Sequence, residues 1–246
     1  MSKNIPPQIY WFIIGLSRSN KVFRFLIDWA ALVFYRVTRG RKTFNFQGKM
    51  YRYFYHIYNR TVAGERVVEV PVVYEKVKSY RGKEILEVGN VLSHYFPIKH
   101  DILDKYEKAP GVINEDVITF NPKKKYDLIV SISTLEHVGW SFPEAKETKK
   151  TLNAIRKLKK MLKKSGLIMV TFPLFFRKDL TNLIKERKIP LEKIFFMKRT
   201  SFLNDWKEVS FKEAMKGSFY DSYYANANIL FIGMSGGEVL QKEKKT

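Results

Sequence analysis

The chain has no cysteine. That excludes a disulfide scaffold, a thiolate-held zinc or iron–sulfur site, and thiol catalysis. Histidine is nearly as scarce: the four stand at 56, 94, 100 and 137, and no pair has the i, i+4 spacing of a helical metal site. Acid is short against base, with 24 Asp and Glu facing 45 Lys and Arg, for a net charge of +21. Long apolar runs are missing too. Neither Asn4 to Ser17 nor Phe25 to Tyr35 reaches the ~20 apolar residues that a bilayer span needs. No small-residue cleavage site follows the first of them, which argues against a cleaved signal peptide. What is there, 246 residues of which 45% are hydrophobic and 28% charged, suffices for one core plus a small appendage.

The charge is unevenly placed. Residues 1–60 hold eleven Lys or Arg and one acid, 61–145 hold eleven against thirteen acids, and 146–246 hold twenty-three against ten. Basic flanks suit an anionic partner, be it membrane surface, nucleic acid or phosphorylated substrate, and they equally suit a Lys-rich solvated surface. The segment 1–60 is expected to be helical. It reads either as a cap packed on the main domain, the favoured reading, or as a peripheral device on an anionic membrane with Trp11, Trp29 and Tyr35 at headgroup level. Lys49 to Tyr58 (KMYRYFYHIY) interleaves aromatic and basic residues. It reads as a buried helix face with snorkelling Arg before it reads as a base-stacking surface. The division expected is 1–60, then an α/β domain over 61–238, then a basic tail over 239–246, in a cytoplasmic protein.

The middle of the chain alternates strands and helices. Val67 to Val77 leads to the turn Arg81-Gly82-Lys83, which opens a buried strand over Glu84 to Val88 that ends at Gly89. Further strands are expected at Ile98 to Leu103, Gly111 to Asn114, Tyr126 to Ser133, Leu167 to Phe172 and Asn228 to Met234. The fourth is almost continuously apolar, as befits a strand covered on both faces. Between the fourth and fifth, Leu152, Ile155, Leu158, Met161 and Leu162 recur at helical spacing over Thr148 to Lys164, with Ser165-Gly166 as the stop. Strands separated by crossovers imply a doubly wound, mostly parallel sheet, and such sheets bind ligands at the carboxyl ends of their strands. Those ends carry EVGNVLSHY, DKYE, NEDV, STLEHVGW and FPL, more polar and small residues than a purely structural sheet needs.

Five such ends in this order resemble the class I S-adenosylmethionine-dependent methyltransferases, over roughly residues 80–175 with a looser match for the last strand. The resemblance implies a Rossmann-like fold with S-adenosylmethionine as cofactor. Glu87 and Gly89 match the acid and first glycine of the family's E/D-x-G-x-G-x-G turn, with Asn90 between them and Val91. Val91 and Ser93 stand where later glycines belong, which leaves less room beside the methionine moiety. Asp104, with Lys105 beside it, fits the acid that holds both ribose hydroxyls, and Asp101 is the runner-up. Asp116 and Val117 fit the adenine contacts. Ser133 precedes and Leu135 opens the LEHV stretch, the most specific string in the chain, and both are implied cofactor contacts. Only eleven residues separate Asp104 from Asp116, too few for the family's usual crossover helix.

His137 is the candidate base for an acceptor that must lose a proton, with Glu136 to orient it or touch the cofactor. Asn59, Thr61, Glu65 and Arg66 are placed to point over the cofactor. The absence of a D/N-P-P-Y/F string argues against methylation of adenine or glutamine amino groups. The expectation is methyl transfer to a small-molecule or glycan hydroxyl, with no metal. An RNA methyltransferase, suggested by the net charge, and a cofactor-binding protein without catalysis, suggested by Val91 and Ser93, are the alternatives. A nucleic-acid partner ranks below the small acceptor.

Overall fold

The computed structural model describes residues 21–139, 148–217 and 227–236. The first apolar stretch, Asn4 to Ser17, and the tail 239–246 lie outside them. The described chain begins with helix α1 (Lys21–Arg39), followed by strands β1 (Thr43–Phe46) and β2 (Lys49–Arg52). These two pair antiparallel. Gln47 and Gly48 join them with φ of 51° and 73°, two left-handed residues in a row, as a tight hairpin turn requires. The expected helix face over 49–58 is therefore strand at its start. Tyr51 and Tyr53 alternate with the outward Met50 and Arg52, and that period of two, not 3.6, marks the strand. Phe44 stacks on Tyr51 at 5.6 Å, and Tyr53 and Tyr55 are buried.

A short 3-10 turn (Tyr58–Ala63) leads to α2 (Arg66–Ser79). Valines 67, 68, 70, 72, 73 and 77 of α2 are all buried. β3 (Ile85–Val88), β4 (Asp101–Leu103), β5 (Val112–Ile113), β6 (Tyr126–Ile132), α3 (Thr148–Met161) and β7 (Leu162–Pro173) come next. α4 (Lys178–Lys185), β8 (Lys193–Arg199), β9 (Trp206–Val209), α5 (Phe211–Ala214) and β10 (Ile229–Gly236) complete the described fold. The hairpin apart, the strands form one sheet in the order β5-β4-β3-β6-β7-β10-β8-β9. β5, β4, β3, β6 and β7 run parallel. β10 is antiparallel to both neighbours, and β9 is antiparallel to β8. This is the doubly wound, mostly parallel α/β sheet expected. The chain steps outward from β3 through β4 to β5, then returns to the other side of β3 with β6. The gap between β3 and β6 is thus the topological switch point.

Both faces of the sheet are covered. Leu128, Val130 and Ile132 of β6 pack with α1, α2 and the hairpin, while Ile129 packs with α3 and α4 on the other face. Ser165-Gly166 does not stop α3. The helix ends at Met161 and β7 begins at once. Gly166 instead permits close approach to β6: a Cβ there would lie 2.7 Å from the Tyr126 carbonyl oxygen, where the β6–β7 register shifts. The crossover from β4 to β5 holds no helix.

α1 is joined to the far edge of the sheet by Arg39, which bonds Asp205 beside β9, and to the segment after the hairpin by Arg36, whose Nη2 donates to the Tyr55 carbonyl at 3.2 Å. Only its inner side is seated, through Ala31, Leu32 and Tyr35. The outer side presents Val22, Phe25, Leu26, Trp29 and Val37 at 54–80% exposure. No described helix is long and apolar enough to cross a membrane.

Candidate functional site

The loops at the carboxyl ends of β3, β4 and β5 are stitched together. Gly89 turns the chain at φ 89°, and its N–H donates to the Leu103 carbonyl at 2.8 Å. Glu87 is fully buried and does not face a ligand space. Its Oε1 accepts the Val91 and Leu92 N–H groups at 2.9 and 2.8 Å, and its Oε2 lies 2.8 Å from His100 Nε2. Val91, at one of the family's later glycine positions, is 7% exposed and caps a 3-10 turn over Leu92–His94 that includes the exposed Ser93. The N–H donors of Val91 and Leu92 are spent on Glu87.

Asn90 ties this turn to the next. Its N–H donates to Asp104 Oδ2 at 3.1 Å and its Nδ2 to Glu107 Oε1 at 2.7 Å. Asp104 Oδ1 also accepts the Tyr106 and Glu107 N–H groups at 2.8 and 2.9 Å. Three of the roughly four acceptor sites of that carboxylate are therefore occupied. Glu107 Oε2 makes no hydrogen bond among the described residues, and its side chain is 36% exposed. It stands beside Asp104, the residue that sequence singled out. Asp116 Oδ1 accepts the Ile118 N–H at 2.8 Å and Oδ2 meets Lys105 Nζ at 2.9 Å. Burial pulls the Asp116 carboxyl up, but those two donors outweigh it and hold it below the usual range. Val117 is buried behind it.

On the other side of the switch point lies the loop after β6. Ser133 sits at φ 42°, left-handed without being glycine. Its Oγ donates to Glu69 Oε1 at 2.8 Å, which binds the loop to the first turn of α2. Thr134 fills the crevice against Gly89, where a Cβ would come 2.0 Å from Thr134 Oγ1. So the space first denied to a side chain at Gly89 belongs to Thr134. Leu135 is fully buried. Glu136 is 1% exposed. Burial drives its carboxyl well above the ordinary range, and Glu69 and Glu65 add to this while Arg66 opposes it. Burial likewise pushes Glu65 up to about 7, with Glu69 adding to it. His137, the candidate base, has a side chain 53% exposed, and its ring packs on Phe176 at 5.0 Å. Burial, then Arg177 and Arg66, lower its pKa.

Sequence reasoning passed over two residues here. Glu69 is a lone acid in the valine-rich run VVEVPVV, and an acid on a buried face is itself a signal. Arg177, 2% exposed, follows β7 and clamps the loop: its Nη1 donates to the Glu136 and Val138 carbonyls, each at 3.0 Å. The structure brings Glu87, Gly89, Asn90, Asp104, Lys105, Asp116 and Val117 to one side of the switch point and Ser133, Leu135 and His137 to the other. Asn59, at the start of the 3-10 turn, does not join the bonds of this cluster. Among the described residues no group of His, Cys, Asp and Glu is set to hold a metal ion.

The sheet order and its switch point define a Rossmann-like α/β protein. No family model matches the chain, and no curated protein does. Solved structures that it resembles are methyltransferases. The N-methyltransferase NodS from Bradyrhizobium japonicum WM9, in complex with S-adenosyl-L-homocysteine, is 11% identical over 69% of this chain and 85% of its own, with a TM-score of 0.42. A SAM-dependent methyltransferase from Archaeoglobus fulgidus is 14% identical over 69% of this chain and 94% of its own, also at 0.42. DesVI from Streptomyces venezuelae is 19% identical over 45% of this chain, with a TM-score of 0.34; the match spans about half, 52%, of DesVI.

Proposed function

We propose that the chain is an enzyme that moves a methyl group from S-adenosylmethionine to a hydroxyl of a small molecule or glycan. The observation that carries this reading is the cradle joined by Asn90, which ends on the open Oε2 of Glu107. Asp104 and Glu107 would hold the ribose, and Val117 with the backbone after Asp116 would border the adenine. The fit is good on this side and tighter at the closed turn over Val91. When bound, the cofactor supplies a methyl group already activated by its sulfonium. The residues of the chain then have to orient the acceptor, exclude water and receive a proton.

Calorimetry with S-adenosylhomocysteine tests the reading. Glu107→Ala is expected to weaken binding by about 1–3 kcal/mol, the cost of losing a charged hydrogen-bond partner. Since Glu107 is partly exposed, the melting temperature should hardly move. Unchanged affinity in this variant would remove Glu107 from the site, and no binding by the native chain would remove the cofactor.

For location, we infer a peripheral protein on an anionic, cytoplasmic leaflet. The support is the exposed apolar side of α1 together with the eleven Lys and Arg against one acid in residues 1–60. The chain should float with vesicles containing anionic phosphatidylglycerol, less so as salt rises, with a blue shift in tryptophan emission. Leu26→Glu with Trp29→Glu, both at exposed positions, should abolish flotation without lowering the melting temperature. Flotation that persists in that variant, or a native chain that self-associates and ignores vesicles, overturns this assignment.

A further inference from the structure

The cofactor cradle leaves a second polar group at the switch point unused. Glu65, Arg66 and Glu69 come from the start of α2, and Ser133 and Glu136 from the loop after β6. Glu69 is 0% exposed and Glu136 1%, and Oε2 of each has no hydrogen-bond partner. Among the described residues these are the only buried carboxylate oxygens left so. Native proteins rarely leave such an atom without a donor, and the exceptions ask for a ligand, a water or a reaction. Arg66 lies in the field of Glu69, Glu65 and Glu136. Its guanidinium can only donate, while the two orphaned oxygens can only accept when ionised.

Resting on the methyl-transfer reading, we propose that this group is the acceptor subsite: a neutral, polyhydroxylated acceptor of glycoside type sets one hydroxyl against Glu136, which receives its proton, and a neighbouring hydroxyl against Glu69. Three features of the site direct that choice. A hydroxyl donates one hydrogen and accepts at its lone pairs, so one hydroxyl answers Glu136 Oε2 and Arg66 while a neighbouring hydroxyl of the same polyol answers Glu69 Oε2. An amine acceptor held as ammonium would be repelled by the nearby charge of Arg66, which already lies in the field of these acids. Glu136 follows Thr134 by two residues, and Thr134 touches Gly89, so the proton acceptor adjoins the turn of the cofactor cradle. His137 is the poorer proton acceptor, because its ring is turned onto Phe176 and its Nε2 stands 3.8 Å from Glu136 Oε1. The balance closes without another reactant. The acceptor O–H bond breaks and an O–C bond forms. The proton passes to the Glu136 carboxylate, and the electron pair of the broken C–S bond stays on the sulfur. Burial and the neighbouring acids make that carboxylate a stronger base than a surface one.

The experiment uses the full chain, saturated with S-adenosylhomocysteine, and saturation-transfer NMR against two probe sets. One is a panel of methyl hexopyranosides and their 6-deoxy forms; the other is the matching amino sugars. The neutral glycosides are expected to give the stronger signal. Glu136→Gln and Glu69→Gln keep shape and remove charge, and each should lower glycoside affinity by ~10-fold or more while calorimetric affinity for S-adenosylhomocysteine stays within about twofold. With S-adenosylmethionine, label from its methyl group should reach the bound glycoside in the native chain and not in Glu136→Gln. Should either variant fail to fold, Glu65→Gln at the partly exposed rim carries the same comparison with a smaller loss. No signal from any glycoside, a preference for amino sugars, or methyl transfer retained in Glu136→Gln overturns the proposal. A native chain that binds glycosides through Glu136 but takes no S-adenosylhomocysteine would keep the subsite and sink the cofactor reading instead.

Discussion

Gly89→Ala should cost about 2–6 kcal/mol of stability and take cofactor binding with it. Two penalties add. The backbone at φ 89° is a conformation that an L side chain adopts at a cost of about 1–3 kcal/mol. The new Cβ would also stand 2.0 Å from Thr134 Oγ1 and 2.8 Å from Thr134 Cβ and Cγ2, and overpacking of this sort costs about 1–3 kcal/mol. The contact is with a short side chain on a clamped loop, since Arg177 holds the residues that follow it. The loop therefore cannot swing aside cheaply. Thermal melting of Gly89→Ala, alone and combined with Thr134→Gly, checks the account. The double variant should regain the packing part and keep the backbone part. If Thr134→Gly restores nothing, the clash is not the cause, and the whole cost lies in the backbone.

How much of this was legible beforehand depended on which physical signal each element carries. β6 and β7 announce themselves as continuous apolar runs, because parallel strands are covered on both faces. The strand-end loops followed from the alternation of strands and crossovers, and the order that makes two of them a switch point comes from the structure. α2 was harder: Val67 to Val77 is β-branched and nearly all buried, so neither propensity nor a polar face marks it as helix. β8 and β9 pair antiparallel at the far edge, and nothing local in Lys193 to Val209 fixes that partnership. The orientation of α1 was also hidden. A greasy helix is usually seated by its grease, but here Phe25, Leu26 and Trp29 face outward while Leu32 and Arg39 face in. At the site, the spacing of acids located the strand ends correctly. It did not tell a carboxylate that binds a ligand from one that binds the chain itself. Asp104 and Glu87 share this ambiguity, and only the backbone donors around them resolve it.

Glu87 sets the largest expected loss among the acids. Glu87→Ala should destabilise the fold by about 3–5 kcal/mol, because it strands the buried Val91 and Leu92 N–H groups and leaves His100 without its carboxylate. For a chain of 246 residues, that is a fall in melting temperature of about 6–20 °C. Glu87→Gln separates the two roles that an acid in this position could have. Its amide oxygen can still accept the Val91 and Leu92 donors, and its amide nitrogen can donate to the His100 ring, so its cost should stay under about 2 kcal/mol. If Glu87 braces the turn, Glu87→Gln keeps its affinity for S-adenosylhomocysteine within about twofold, whereas a direct charged contact would cost about 1–3 kcal/mol of binding. A stable Glu87→Gln protein that has lost the cofactor would return Glu87 to the binding surface. It would also mean that the turn over Val91 opens when the site is filled.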